Sequence, residues 1–492
     1  MSPETATQET PHLRATLLLS CMAQFMVILD VSVVNVALPA IRGGLHFTEQ
    51  DLQWVVNAYT VTFAGFLLLG GRAADLLGRR RVFVSGLVLF AIASLAGGLA
   101  DSQGMLIAAR AVQGLGGAVI APASLSILTT TFAEGAARNR AVGIWGAMGG
   151  AGGAAGVLLG GVLTELLGWR WILFINVPIG LAAALLAQRF IVADARTERR
   201  RDFDLTGALT ATIGLSLLVL GIVRTDVTGW GSASTLAIIV AGAVLLVAFV
   251  AVEGRVAKAP LMPLRIYASR TLSASNVIVL LVGGATFGMW FFVSLYLQQV
   301  LGYSAIKAGL AFLPMTLLIV VGSTLASRMV TRIGAKPLLV AGMVALTLGL
   351  ALFTGVSATG TYLGSVLAPS LLVAIGIGLA FVPATISAVA GVAPQEAGLA
   401  SGLVNTSRLF GGALGLAILA ALATARTNSD LHRTGAGVHA VHAALTSGFQ
   451  LAFLVGAAFA LVGGLVAVFG LPRVPLRAPV RQPQSVTVEG SA

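Results

Sequence analysis

The sequence is short of charge. Lys, Arg, Asp and Glu make up 10% of its 492 residues, against about 25% in an ordinary soluble domain. Acids are scarcer than bases, 18 against 30, and Cys21 is the one cysteine. The shortage of charge excludes a soluble enzyme, because too few polar residues remain to cover a surface. It also excludes a disordered protein, whose composition runs the other way. A single cysteine excludes an intramolecular disulfide framework and a cysteine-built metal site. What fills the chain instead is apolar: AVILMFWYC supply 57%, beside 60 glycines. That is the composition of a polytopic, all-α membrane protein.

A helix needs about 20 mostly apolar residues to cross a hydrocarbon core of about 30 Å. Breaks at charged, proline or glycine-polar clusters predict about fourteen such segments. The first apolar run, Ala15 to Pro39, is too long for a signal-peptide core and has no clear cleavage site, so it is expected to stay as a span. Basic residues alternate between the connections. Arg79, Arg80, Arg81, Arg199, Arg200, Arg201, Arg255, Lys258, Arg265 and Arg473 fall on one side, while the other has few, such as Arg42, Arg170 and Arg224. The positive-inside bias then predicts both termini in the cytosol, in a multi-pass chain of the inner (cytoplasmic) membrane. The net charge of +12 is read as orientation and lipid-headgroup contact, not nucleic-acid binding.

The longest charged linker, ADARTERRRDFD, follows the sixth span, and a second precedes the ninth. The expected division is a cytosolic tail 1–14, a six-helix bundle 15–192, a linker with two inserted spans 193–270, a second six-helix bundle 271–471 and a cytosolic tail 472–492. The halves echo each other. GRAADLLGRRRVF (71–83) matches SRMVTRIGAKPLL (327–339) in placement, with Gly78 answering Gly334 and Arg80 answering Lys336. Gly156 and Gly160 in one fifth span answer Gly411 and Gly415 in the other. Two such bundles around a cavity are the geometry of an alternating-access carrier.

A charge inside a span costs roughly 2.5–3.5 kcal/mol on insertion scales, so Asp30, Arg110 and Arg408 each need a reason. Asp30 lies about 12 Å and Arg110 about 9 Å from the same membrane face at 1.5 Å per residue. Two readings stay open: a static ion pair between helices, or a proton carrier. Burial disfavours a charged carboxylate and a nearby guanidinium favours it, so a change in their contact would load or release a proton. Arg408 is read either as bonded to neighbours such as Asn405 or as facing substrate in a central cavity. Gln113 and Trp290 complete the expected cavity set. In the 71–81 loop, Gly71 and Gly78 are expected to allow a tight bend. Asp75, Arg79 and Arg80 would then form a conformational latch or a plain solvated turn. The run GAMGGAGGAAGVLLGG (146–161) follows no strand, so its Gly152, Gly156, Gly160 and Gly161 are read as helix-packing positions. No metal site or cofactor is expected.

These residues resemble the major facilitator superfamily, and within it the fourteen-span drug:proton antiporters. LDVSVVNVALP (29–39) is similar to that family's first-span signature, GRAADLLGRRR (71–81) to the inter-span loop motif, and RAVQGLGGA (110–118) to the fourth-span motif. WRWILFINVPIG (169–180), LGYSAIKAGLAFLP (301–314) and GLASGLVNTSRLFGGALG (398–415) carry the resemblance across most of the chain. It implies proton coupling through Asp30 and Arg110. One departure is Gly156–Val157, where the antiporter motif pairs Gly with Pro, a residue that would bend or stiffen the helix. The expected function is proton-driven export of small amphipathic compounds such as drugs, antibiotics or secondary metabolites, by a monomer in contact with membrane lipid. A proton-coupled importer or siderophore carrier of the same fold is the alternative. A membrane-embedded transferase is a third reading, without a convincing acidic or metal-binding constellation to support it.

Overall fold

The computed structural model describes residues 3–132, 136–192, 204–229, 231–256, 260, 264–390, 392, 397–434 and 437–472. The first half contains α1 (Pro3–Leu45), α2 (Glu49–Leu77), α3 (Arg79–Gly98), α4 (Gln103–Thr131), α5 (Ala136–Leu166), α6 (Trp171–Phe174) and α7 (Asn176–Phe190). The second contains α10 (Arg270–Leu295), α11 (Ala305–Ile333), α12 (Ala335–Phe353), α13 (Ala368–Ala390), α14 (Ala397–Thr434) and α15 (Val438–Gly470). Between them run α8 (Leu205–Thr228) and α9 (Ala233–Ala251).

Twelve helices among the described residues are long and apolar enough to cross a membrane, so the chain is a multi-pass membrane protein. By that measure the expected count of about fourteen is not reached. The two remaining long helices are α2 and α8. The first half of α2 carries Gln50, Asp51, Gln53 and Asn57, and the uninterrupted apolar helix within α8 is only Leu209–Ile222.

The two halves are built with the same devices. Gly78 between α2 and α3 has φ 95°, and Gly334 between α11 and α12 has φ 84°, a conformation close to the glycine-only region that costs an L side chain roughly 1–3 kcal/mol. Gly71 does not share in the bend: α2 runs through it to Leu77, and a Cβ there would rest 3.4 Å from Pro122 of α4. Just past each turn a cation closes the end of that half's last helix. Arg80 Nη1 donates to Ile191 O at 3.2 Å, and Lys336 Nζ donates to Leu471 O at 2.7 Å. Positive charge is favourable at a helix C-terminus.

Glycines set the helix spacing. A Cβ at Gly152 would lie 2.8 Å from Phe25 O, and one at Gly160 would lie 2.8 Å from Val33 O, so α5 rides on the backbone of α1. In the second half Gly411 meets Leu280 O and Gly415 meets Gly284, bringing α14 onto α10 the same way. Close backbone approach is a main source of helix association in a bilayer, where apolar surface gains little by meeting apolar surface. Val157 leaves α5 a continuous helix, buried at 0% exposure, with its carbonyl against Gly309 of α11.

The inserted pair lies along one seam. Gly65 of α2 receives Thr212 of α8. Leu215, Val219 and Ile222 of α8 share an apolar cluster with Val61 of α2 and with Ala413, Ala417 and Ala421 of α14. One face of α8 thus touches both halves, while α9 packs on α8 at Gly214 and Gly242. Tight contacts across the halves occur at the end away from the two termini, called the far end below. Ser294 Oγ donates to Asn35 O at 2.6 Å and Gln298 Nε2 donates to Val36 O at 2.9 Å. A Cβ at Gly161 would stand 2.6 Å from Ala305 O.

Candidate proton site and cavity

Asp30 is fully buried, and three side chains from other helices converge on it. Arg110 Nη1 of α4 donates to Oδ2 at 2.6 Å. Gln113 Nε2, one helical turn along α4, donates to Oδ1 at 2.6 Å. Asn176 Nδ2, the first residue of α7, donates to the same oxygen at 2.8 Å. The network continues outward. Gln113 Oε1 accepts from Arg110 Nη1 at 2.6 Å, and its Nε2 also reaches Ser94 Oγ of α3 at 2.8 Å. Arg110 Nε donates to Val55 O at 3.0 Å, and the guanidinium lies 4.4 Å over the Tyr59 ring, both on α2. Arg110 is 2% exposed and Asp30 0%, so the pair stands away from water.

The local sequence explains why these groups can meet. In QGLGGA, a Cβ at Gly114 would collide with Tyr59 O, one at Gly116 would press on Phe90 of α3, and one at Gly117 would crowd Phe63. Glycine at these positions lets α4 sink between α2 and α3. That carries Arg110 and Gln113 to the depth of Asp30. Thr62 Oγ1 clamps the approach by donating to Ala111 O at 2.8 Å.

Parting a buried ion pair leaves an uncompensated charge, a state that costs about 3–5 kcal/mol. Neutralising the carboxylate with a proton relieves its share of that cost, while Arg110 keeps Val55 O, Gln113 Oε1 and the Tyr59 ring as partners. Asn176 Oδ1 and the Tyr59 hydroxyl have no hydrogen-bond partner among the described residues, which leaves polar atoms in the site for a proton or water to use. Gln113, expected on the substrate cavity, is instead 1% exposed and bound into the Asp30 network. Asn176, Ser94 and Tyr59 were not singled out from the sequence, although Asn176 lies within the quoted WRWILFINVPIG segment. We expect Gln113→Leu to lower the melting temperature in detergent, because Asp30 loses a donor and Ser94 its partner. One buried polar group left unmet costs about 1–3 kcal/mol. An unchanged melting temperature would show that Arg110 and Asn176 hold the carboxylate without it.

Arg408 of α14 bonds Asn405 Oδ1 one turn earlier, at 3.1 Å from Nη2. Its guanidinium carbon lies 5.9 Å from the Phe287 ring and 5.6 Å from the Phe381 ring. It is half-buried, as is Trp290, which packs 5.0 Å from Phe312 between ring centres. Phe291 is buried, and Phe292 points into the second half, where it meets Phe449 and Phe453. Of the expected latch, Arg79 Nε donates to Ser126 Oγ at 2.7 Å, which with Arg80 ties α3 to α4 and α7 within one half. The side chain of Asp75 lies outside the described residues. Gly152, Gly156 and Gly160 face α1, whereas Gly161 faces α11 of the other half.

Residues 20–416 match the Major Facilitator Superfamily. The chain is 45% identical to the cephamycin export protein CmcT of Amycolatopsis lactamdurans, over 92% of each chain. It is 42% identical to the puromycin resistance protein pur8 of Streptomyces alboniger, over 88% of this chain and 87% of that one. Among solved structures it is similar to a bacterial homologue of the human lysosomal transporter Spinster, inward-facing and unoccupied. That likeness has a TM-score of 0.68 at 16% identity, over 94% of this chain and 97% of the other. With a buried ion pair in one of two glycine-packed helical halves, and with such relatives, the chain belongs to the Major Facilitator Superfamily and is an efflux transporter, not an enzyme.

Proposed function

We propose that the chain is a proton-coupled antiporter that exports small amphipathic antibiotics or related metabolites by alternating access. It would act as a monomer in the cytoplasmic membrane, with both termini in the cytosol. The observation that carries this reading is Asp30, a fully buried carboxylate held by Arg110, Gln113 and Asn176. Relatives named for cephamycin export and puromycin resistance support the direction and the substrate class. Far-end contacts such as Ser294 to Asn35 fit a state whose opening faces the termini. The decisive test is a panel of antibiotics in proteoliposomes with an imposed pH gradient. Accumulation that follows the gradient and collapses with it supports the reading, and accumulation indifferent to it removes proton coupling.

Among the described residues, the middle stretches of the spans hold one carboxylate, Asp30, and two guanidinium groups, Arg110 and Arg408, while Glu165, Glu253 and Asp430 lie near span ends. With Asp30 paired to Arg110, Arg408 leaves the charge within the membrane-spanning core positive, a field that repels cations and favours neutral or acidic aromatic compounds. The rings of Phe287 and Phe381 beside Arg408 would supply stacking surface. Arg408→Ala is expected to weaken export of an acidic substrate several-fold more than export of a neutral one. Robust export of a lipophilic dication, unaffected by the substitution, would overturn this choice of substrate charge.

A further inference from the structure

At the far end a carboxylate crosses from one half to the other. Glu165, in the last turn of α5, accepts the backbone N–H of Ile306 at 2.9 Å, and the Ser304 hydroxyl beside it further favours the charged carboxylate. Ser304 is the N-cap of α11, and its hydroxyl oxygen also accepts from Lys307 N. A helix that starts with serine commonly places Glu or Gln three residues later, whose side chain completes the cap. Here that position is Lys307, a cation at the end of the helix where a cation is least favourable. The missing acid comes from the other half of the molecule.

We propose that Glu165 is a proton-sensitive far-end gate residue: its carboxylate, by capping α11 across the halves, holds the far end shut, and protonation there releases it. The proposal deepens the alternating-access reading and rests on it. Glu165 is exposed, so protons in the far-end solution reach it directly, whereas Asp30 beneath is fully buried. A proton on Glu165 removes the negative charge that the N-terminus of α11 attracts. The cap then weakens, α5 and α11 can part, and the path toward Asp30 opens on the side where protons are plentiful. The ionisable residues at this end of the packed elements include Lys307, Arg170, Arg42, His46, Asp51, Asp101, Tyr303 and Tyr362, whose hydroxyl donates to Ala311 O of α11 at 2.8 Å. Lys307 Nζ sits 3.8 Å over the Tyr303 ring, Arg170 Nη2 donates to Ala100 O at 3.0 Å, and Arg42 has an interaction of its own. Asp101 lies in the turn before α4.

The test reads the gate without substrate. Ala37, on α1 beside the Val36 carbonyl that receives Gln298, is fully buried. Ala37→Cys in a Cys21→Ser background gives a thiol that a membrane-impermeant maleimide reaches from the far end only when that end opens. Rates are normalised to an exposed cysteine, which removes the pH dependence of the reagent. At pH 7.5, Glu165→Gln is expected to speed labelling about two- to five-fold, the scale of one charge at a helix N-terminus. The hydrogen bonds at Glu165 favour its charged form and hold its pKa below the ordinary 4.5, so wild type and variant are expected to converge only as the far-end pH falls below that value. Lys307→Glu discriminates a gate from a helix-stabilising cap. It gives α11 its own acid, so it should copy the opening seen in Glu165→Gln. Rescue of Glu165→Gln by Lys307→Glu would overturn the gate, as would equal labelling of wild type and Glu165→Gln at pH 7.5. If labelling shifts as expected while no antibiotic is exported, the gate stands and the export reading falls.

Discussion

Asp30→Asn is expected to abolish uphill export while leaving downhill exchange of substrate intact. One proton crossing with about 100 mV supplies about 2.3 kcal/mol, which sustains a gradient of about 50-fold. An amide in that place cannot carry the proton, so accumulation should fall from that level to equality across the membrane. The fold should survive. Arg110 keeps Gln113 Oε1, Val55 O and the Tyr59 ring as partners, and Asn176 and Gln113 can still donate to the amide oxygen. The measurement is concentrative uptake into inverted vesicles beside substrate exchange without a pH gradient. Normal gradient-driven accumulation by the variant would remove Asp30 from the coupling mechanism.

The second large effect is steric. At Gly156 a Cβ would stand 2.6 Å from Ser32 Cβ and 2.8 Å from Leu29 O. The carbonyl is backbone and cannot swing aside. Gly156→Leu must push α5 off α1 beside Asp30, adding overpacking of typically 1–3 kcal/mol or more to a displaced proton site. We expect a large loss of monodisperse protein in detergent and no measurable uphill export by what remains. Gly146→Leu, on the same helix with nothing within 4 Å of its Cβ, is expected to behave as wild type in both assays. Equal behaviour of the two variants would show that the α1–α5 approach is not needed.

The parts of this molecule that show in its sequence are those that are expensive. Apolar runs long enough to span mark themselves because nothing else tolerates them. Asp30 and Arg110 stand out because charge in a bilayer demands a reason, and their shared depth was available from counting residues. Asn405 could be foreseen beside Arg408 because residues three apart share a helix face. Neutral polar residues gave no such signal. Asn176, Ser94 and Tyr59 cost little in a span, so only the packing of α3, α4 and α7 shows that they close around one carboxylate. Gln113 lies within the fourth-span motif, but its side chain had to be seen to belong to Asp30 rather than to the cavity. Gly71 and Gly78 read alike in the loop, yet only Gly78 takes a positive φ. Polar residues along α2 blurred the span count for the same reason that they matter: several face the protein, with Gln53 and Asn57 at 0% exposure. Glu165 carries no signal in the sequence, since its partner lies 141 residues away.

The placement of α8 makes the two long edges of the molecule mechanically unequal. Along α2 and α14 a third helix is glued to both halves through Thr212, Leu215, Val219 and Ile222, so relative movement there must shear three surfaces at once. Along α5 and α11 two helices meet directly, at Gly161 and Gly309, and no inserted helix lies over them among the described residues. A rocking motion therefore swings like a gate hung on one post. It turns least beside α8, widens most across α5 and α11, and presents the surrounding lipid with one working edge instead of two.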